Sequence, residues 1–203
     1  MEGLSLCYKK LRKVFTVLQE LKTKVEKVHT DSCVQVNSLA NLLEQLAACD
    51  KVSFDKEPLV EMIDLKPKLR YKLVKAVESL LIKLRNDLST IKDVSRKISE
   101  NRKSSFDVYT QHATQGTLSL EDTLQGSPTC PSLAELLEWL SEIDSSYAQL
   151  YEEKLEIIES ISYEEPTKSQ ESLRRWKSLA LLSRNKSEYK QFLIDYSGVD
   201  TGF

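Results

Sequence analysis

Apolar residues recur at every third or fourth position along most of this chain, and that recurrence predicts long helices. Leu4, Cys7, Leu11, Val14, Leu18, Leu21, Val25 and Val28 alternate steps of three and four, which places them on one seam of a helix, as in a coiled coil. Phe15, Val17 and Tyr8 widen the stripe. Counting on from Val28 in the same register reaches Ser32, Gln35, Leu39, Leu42, Leu46 and Cys49. Two readings fit the polar interval at Ser32 and Gln35. Thr30-Asp31-Ser32 could cap a second helix, or one helix runs from about residue 4 to 48 with a polar patch inside it. No Gly or Pro breaks the interval, and the preserved phase favours the single helix.

Asp50, Asp55, Pro58, Asp64 and Pro67 punctuate the following connection. Pro67 suits a first helical turn, where its missing N–H costs little. Leu69, Leu73, Val77, Leu80, Leu84, Ile91, Val94 and Ile98 then form one stripe, with Val74, Leu81 and Leu88 beside it. A stripe that wide faces two neighbours, and the helix is expected over about residues 67–110. Gly116, Gly126, Ser127, Pro128, Thr129 and Pro131 mark residues 112–131 as a flexible linker. Ser132-Leu133-Ala134-Glu135 has the form of a capping box. It opens a helix over about residues 132–163, with Leu133, Leu136, Leu140, Ile143, Tyr147, Leu150, Ile157 and Ile161 in one seam interrupted by Lys154. Shorter helices are expected at 169–182, capped by Ser169, and at 187–196. The expected fold is all-α, an elongated antiparallel helical bundle or coiled coil of long helices. It has an N-terminal hairpin (1–111), the linker (112–131) and a C-terminal helical segment (132–203).

Composition agrees and narrows the function. Among 203 residues there are only 5 Gly, 5 Pro and 2 His, too little punctuation for many short strands and little material for catalysis. The four cysteines are far apart with no C-x-x-C, and read as small buried hydrophobes in a reducing compartment. His29 and His112 have no ligand set at metal spacing, so no metal and no cofactor is expected. The first residues, Met1-Glu2-Gly3-Leu4-Ser5-Leu6-Cys7, do not read as a signal or transit peptide, and no apolar run is long enough for a membrane span. A cytoplasmic and nuclear protein is the expectation.

The near-zero net charge of −2 hides a segregation. Residues 66–103 hold 12 basic and 4 acidic residues, and residues 116–166 hold 1 basic and 12 acidic. Either the two helices choose each other by charge, or one of them meets a charged protein partner, or the basic one meets RNA. Against RNA, the cations spread around the helix, no aromatics interleave for stacking, and no docking motif is present. Phosphate loops, nucleophile elbows and zinc-protease motifs are absent, so an enzyme is not expected. Trp139 borders the α-helical seam of Leu136, Leu140, Ile143 and Tyr147. It reads either as a seam-flank aromatic or as an interface anchor, since tryptophan is enriched in binding hot spots. Trp176 has the same two readings. These six residues are the candidate interface set.

Three stretches in order, 38–46 (Ser-Leu-Ala-Asn-Leu-Leu-Glu-Gln-Leu), 109–113 (Tyr-Thr-Gln-His-Ala) and Pro131-Ser132-Leu133-Ala134-Glu135-Leu136-Leu137-Glu138-Trp139-Leu140, resemble the AIRIM family of small ribosome maturation factors. The last is the most specific, because heptad periodicity does not force it. The resemblance implies a non-catalytic subunit that pairs with a CINP-like helical protein and serves an AAA+ ATPase of the valosin-containing-protein type. Such an assembly releases and recycles a placeholder factor from cytoplasmic precursors of the large ribosomal subunit, which the chain would meet indirectly. It is also connected with protein unfolding at replisomes on chromatin. The rival expectation from the heptads alone is a general coiled-coil subunit of a tether or kinetochore-like assembly.

Overall fold

The computed structural model describes residues 2–54, 57, 61–62, 64–126, 131–163 and 165–179, with the backbone alone at 166 and 167. Every regular element among them is a helix: α1 (Glu2–Lys51), α2 (Leu65–Thr114), α3 (Leu120–Leu124), α4 (Leu133–Glu159) and α5 (Pro166–Ser178). The fold is an all-α helical bundle. α1 runs unbroken through Ser32 and Gln35, so the polar interval lies inside a helix. With one Gly near its start and no Pro, α1 has nothing to stop it. The segment expected as a linker contains α3, and α5 starts at Pro166 rather than at Ser169. The helix expected at 187–196, the end of the one expected at 169–182, and Cys130 lie outside the described residues.

The chain divides into two units. Among the described residues, unit 1 takes those within 2–26 and 92–150. Its core combines Cys7, Leu11, Val14, Phe15, Leu18, Leu21 and Val25 of α1 with Val94 and Ile98 of α2 and Leu133, Leu136, Leu137, Leu140, Tyr147 and Leu150 of α4, all buried. Each such side chain is worth about 1.5–3 kcal/mol when fully withdrawn from water. Polar contacts fix the register. The Tyr8 hydroxyl donates to the Pro131 carbonyl at 3.0 Å. Asp144 of α4 accepts from Ser99 and, at 2.7 Å, from the Arg102 guanidinium, both on α2. The start of α4 is closed by a reciprocal cap. Glu135 N–H donates to Ser132 Oγ (3.2 Å) while the Glu135 carboxylate accepts from Ser132 N–H (2.8 Å). These bonds hold the Glu135 carboxyl below the usual range, the Ser132 hydroxyl being the main cause.

The end of α2 turns through Gly116, whose φ of 70° lies in the left-handed region that favours glycine. Thr117 N–H then returns to the His112 carbonyl at 3.1 Å. α1 comes so close here that a Cβ on Gly3 would sit 2.9 Å from the Thr117 carbonyl oxygen. Gly3 is therefore a close-approach position.

Unit 2 takes Lys27–Ile91 and Tyr151–Ala180. Asp50 pairs with Arg70 (3.1 Å) and Gln35 with Asp87 (2.8 Å), so α1 and α2 run antiparallel within it. Its core gathers Val36, Leu39 and Leu43 of α1, Val77, Leu81, Leu84 and Leu88 of α2, Ile157 and Ile158 of α4, and Leu173 and Trp176 of α5. The register shifts within α1: Leu43 is buried and Leu42 only packs against the cluster's side. Leu69 is exposed. Ser169 does not cap α5. It is buried inside the helix, where its Oγ donates to the Ser162 carbonyl and accepts from the Ser162 N–H, each at 2.9 Å.

Candidate functional site

The seam of α4 turns its apolar residues inward at three- and four-residue steps, and Lys154 occupies one of those steps. In unit 2 its side chain is 0% exposed. Three helices close around it. Its ammonium lies 3.8 Å from the centre of the Trp176 ring of α5, a cation–π contact. It also lies 3.1 Å from His29 Nδ1 of α1. An ammonium has only donors, so Nδ1 accepts and Nε2 is the protonated nitrogen of His29. That Nε2 lies 3.7 Å from Cys33 Sγ, one turn further along α1. The Trp176 ring is equally buried, and its Nε1–H donates to Ser32 Oγ at 3.0 Å. Ser32 in turn donates to the His29 carbonyl at 2.8 Å.

Electrostatics follow from this closure. Burial pulls the Lys154 ammonium from its ordinary 10.5 to about 8, and neighbouring Cys33 offsets part of the fall. Burial lowers His29 below 6.5, and the Lys154 charge lowers it further. Among the described residues no carboxylate pairs with Lys154. Nearby on α1, Gln35 Nε2 donates to Asp87 while Gln35 Oε1 is buried without a partner. Burial is the main reason the Asp87 carboxyl is raised. The i,i+4 spacing of His29 and Cys33 does bring their side chains together, but the third member is an ammonium and not a metal ligand. Among the described residues no group of three or more His, Cys, Asp or Glu could hold a metal. Lys154, Trp176 and Ser32 are fully buried while His29 and Cys33 are half-buried, and the cluster joins α1, α4 and α5. Sequence reasoning missed it. The legible signals were the lysine in an apolar seam and the polar interval at Ser32, both of which meet the Trp176 side chain.

The interface candidates separate. Leu136, Leu140 and Tyr147 are buried within unit 1, and burial together with Glu26 pushes the Tyr147 hydroxyl well above its ordinary 10. Trp139 and Ile143 are half-buried on the same helix, with Glu138 exposed beside them. Trp176 belongs to unit 2 and is closed off in the lysine cluster. The structure thus brings five of the six onto one stretch of α4 and leaves Trp139 and Ile143 as its accessible members. An open groove of about 430 Å³ in unit 1 runs along α2 between Arg96 and Asp107 and is lined mainly by charged side chains. No helix among the described residues is long and apolar enough to cross a membrane.

Fold and site together define an all-α helical-bundle protein in which a buried polar cluster joins three of its helices. The chain belongs to the CA109-like family, described as ribosome biogenesis protein C1orf109-like, whose model matches residues 5–193. It is similar to the AFG2-interacting ribosome maturation factor of Homo sapiens, at 30% identity over 91% of this chain and 88% of that one. It is 31% identical to the Mus musculus protein of the same name, over 84% and 78% of the two chains. The Xenopus tropicalis protein is 36% identical over 70% and 68%. The likeness carried by residues 131–140 therefore extends over most of the chain.

Proposed function

We propose that this chain is a non-catalytic adaptor that links an AAA+ ATPase of the AFG2 type to maturation of the large ribosomal subunit. The observation that carries the reading is the family match over residues 5–193, with relatives named for interaction with AFG2 and for ribosome maturation. The helical fold supports it, because rigid helix faces suit scaffolding. In this reading the chain pairs with a CINP-like helical protein through the half-buried Trp139 and Ile143, with Leu136, Leu140 and Tyr147 packed behind them as a firm base. Trp176 serves the internal cluster instead. The assembly acts in cytoplasm and nucleus, releasing and recycling a placeholder factor from large-subunit precursors and unfolding proteins at replisomes.

Purification of the endogenous chain, with partners identified by mass spectrometry, tests this. Recovery of an AAA+ ATPase together with ribosome-assembly factors is the expected result. Recovery of neither, with the chain found in stable coiled-coil oligomers of its own, would favour a structural subunit. Trp139→Ala is expected to weaken the helical partner's binding by about 2 kcal/mol, the scale of an interface hot spot.

A further inference from the structure

Among the described cysteines, Cys7 and Cys49 are buried and Cys33 is half-buried. Burial pushes the Cys7 thiol up, away from its reactive form. Cys33 is placed differently. Thr30 and Asn37, about one turn before and after it on α1, are exposed, so it stands at the edge of the helix's solvent face. On its inner side its Sγ meets His29 Nε2 at 3.7 Å.

Two observations converge on that sulfur. The first is the tautomer of His29. Lys154 donates to Nδ1, so the ring proton is on Nε2, the nitrogen that faces Cys33. An imidazole turned this way donates to a thiolate, the form of cysteine that reacts. The second is the Lys154 ammonium, fully buried and without a carboxylate partner among the described residues. Burial lowers its pKa, and the Cys33 charge opposes the fall. A thiolate at Cys33 supplies the negative charge that the indole and the imidazole do not.

We propose that Cys33 is a modification site for low-molecular-weight disulfides. Its thiolate attacks one sulfur of the incoming disulfide. A new S–S bond joins Cys33 to that sulfur as the old one breaks, and the leaving thiolate takes a proton from water. Cys33 is oxidised and the departing thiol is reduced, so the disulfide is the only oxidant required. His29 holds the thiolate through Nε2–H, and Lys154 acts through His29 as a positioning residue. A stabilised thiolate is a weaker nucleophile, but nucleophilicity falls only about half as steeply as the thiolate fraction rises, so the net effect is faster reaction. The site lies within unit 2 and is independent of the adaptor reading.

Incubation of the full-length chain with oxidised glutathione at neutral pH, followed by peptide mapping with mass spectrometry, tests the site. A glutathionyl group is expected on Cys33 at least about 10-fold faster than on Cys7 or Cys49. His29→Leu is expected to slow the Cys33 reaction about fivefold and Lys154→Met about threefold, with unchanged circular dichroism. A loosened fold would expose the thiol and speed its reaction, so slowing in both variants reports the lost stabilisation and not damage to the helices. A wild-type Cys33 that reacts no faster than Cys7 and Cys49 overturns the site. So does a Cys33 rate that is unchanged or raised in both variants.

Discussion

Lys154 has an indole face and a histidine nitrogen for company where a buried lysine would ordinarily have a carboxylate. Its fall from 10.5 to about 8 means that the charged form is disfavoured in the folded chain, on the order of 3 kcal/mol at neutral pH. The folded state then binds fewer protons than the unfolded state between about pH 8 and 10.5, so this residue's contribution to stability rises through that window. Lys154→Met, of similar length and without the charge, is expected to raise the unfolding free energy by about 2 kcal/mol at pH 7. The gain should shrink towards pH 10. Urea denaturation at both pH values measures it, and a loss at both would mean that the cation–π contact outweighs the burial. His29 has the same sign of effect at lower pH. Held below 6.5, it contributes stability that is present above 6.5 and lost as the pH falls through its folded value. An NMR titration is expected to show its ring protonating below 6.5, and at higher pH in the Lys154→Met chain. The rise should be partial, since burial is the larger cause.

α5 illustrates how an element can depend on one side chain. Thirteen residues of mostly polar sequence are marginal as an isolated helix, and its packing rests on Leu173, Ser169 and above all Trp176. Trp176→Ala is expected to cost about 3–5 kcal/mol and to release α5, so that trypsin cleaves rapidly at Arg174 and Arg175. Slow cleavage in that variant would show that Leu173 and Ser169 suffice. At the other end of the scale, Ser132→Ala removes the cap of α4 and is expected to cost about 1 kcal/mol, readable as a lower melting temperature. The helices themselves were legible, because periodic apolar residues and the Ser132–Glu135 box are local signals. The lysine cluster was not. A lysine in a seam usually reaches out to water along its stem, and here α5, arriving from later in the chain, closes the exit. The interval at Ser32 looked like a weakness in α1 for the same reason, since the indole N–H that it bonds is remote in sequence. Trp176 as a core aromatic and Trp139 as a half-exposed one could not be told apart from their flanking residues.

For the molecule as a whole, the opposed charges of residues 66–103 and 116–166 raised the question of who meets whom. α2 and α4 do meet, in the pair Arg102–Asp144, while Arg70 turns to Asp50 of α1 and Arg175 of α5 to Glu156 of α4. Lys72, Lys75, Lys83 and Arg85 on α2 are exposed, yet Tyr71 is the sole aromatic from residue 66 to 103 and cannot build a stacking platform. A titration with single-stranded RNA at about 150 mM salt is therefore expected to give no saturable binding. Saturable binding lost on Lys72→Glu, Lys75→Glu would make this face a nucleic-acid surface. The chain has two tryptophans. One, half-buried Trp139, falls in unit 1, and the other, sealed Trp176, falls in unit 2. Each unit thus carries its own intrinsic fluorophore. A Trp139→Phe chain emits from unit 2 alone, and a red shift of that emission would time the opening of the lysine cluster. A Trp176→Phe chain would report partner engagement on α4 as a separate signal, so that the two events can be followed in solution without attaching a dye.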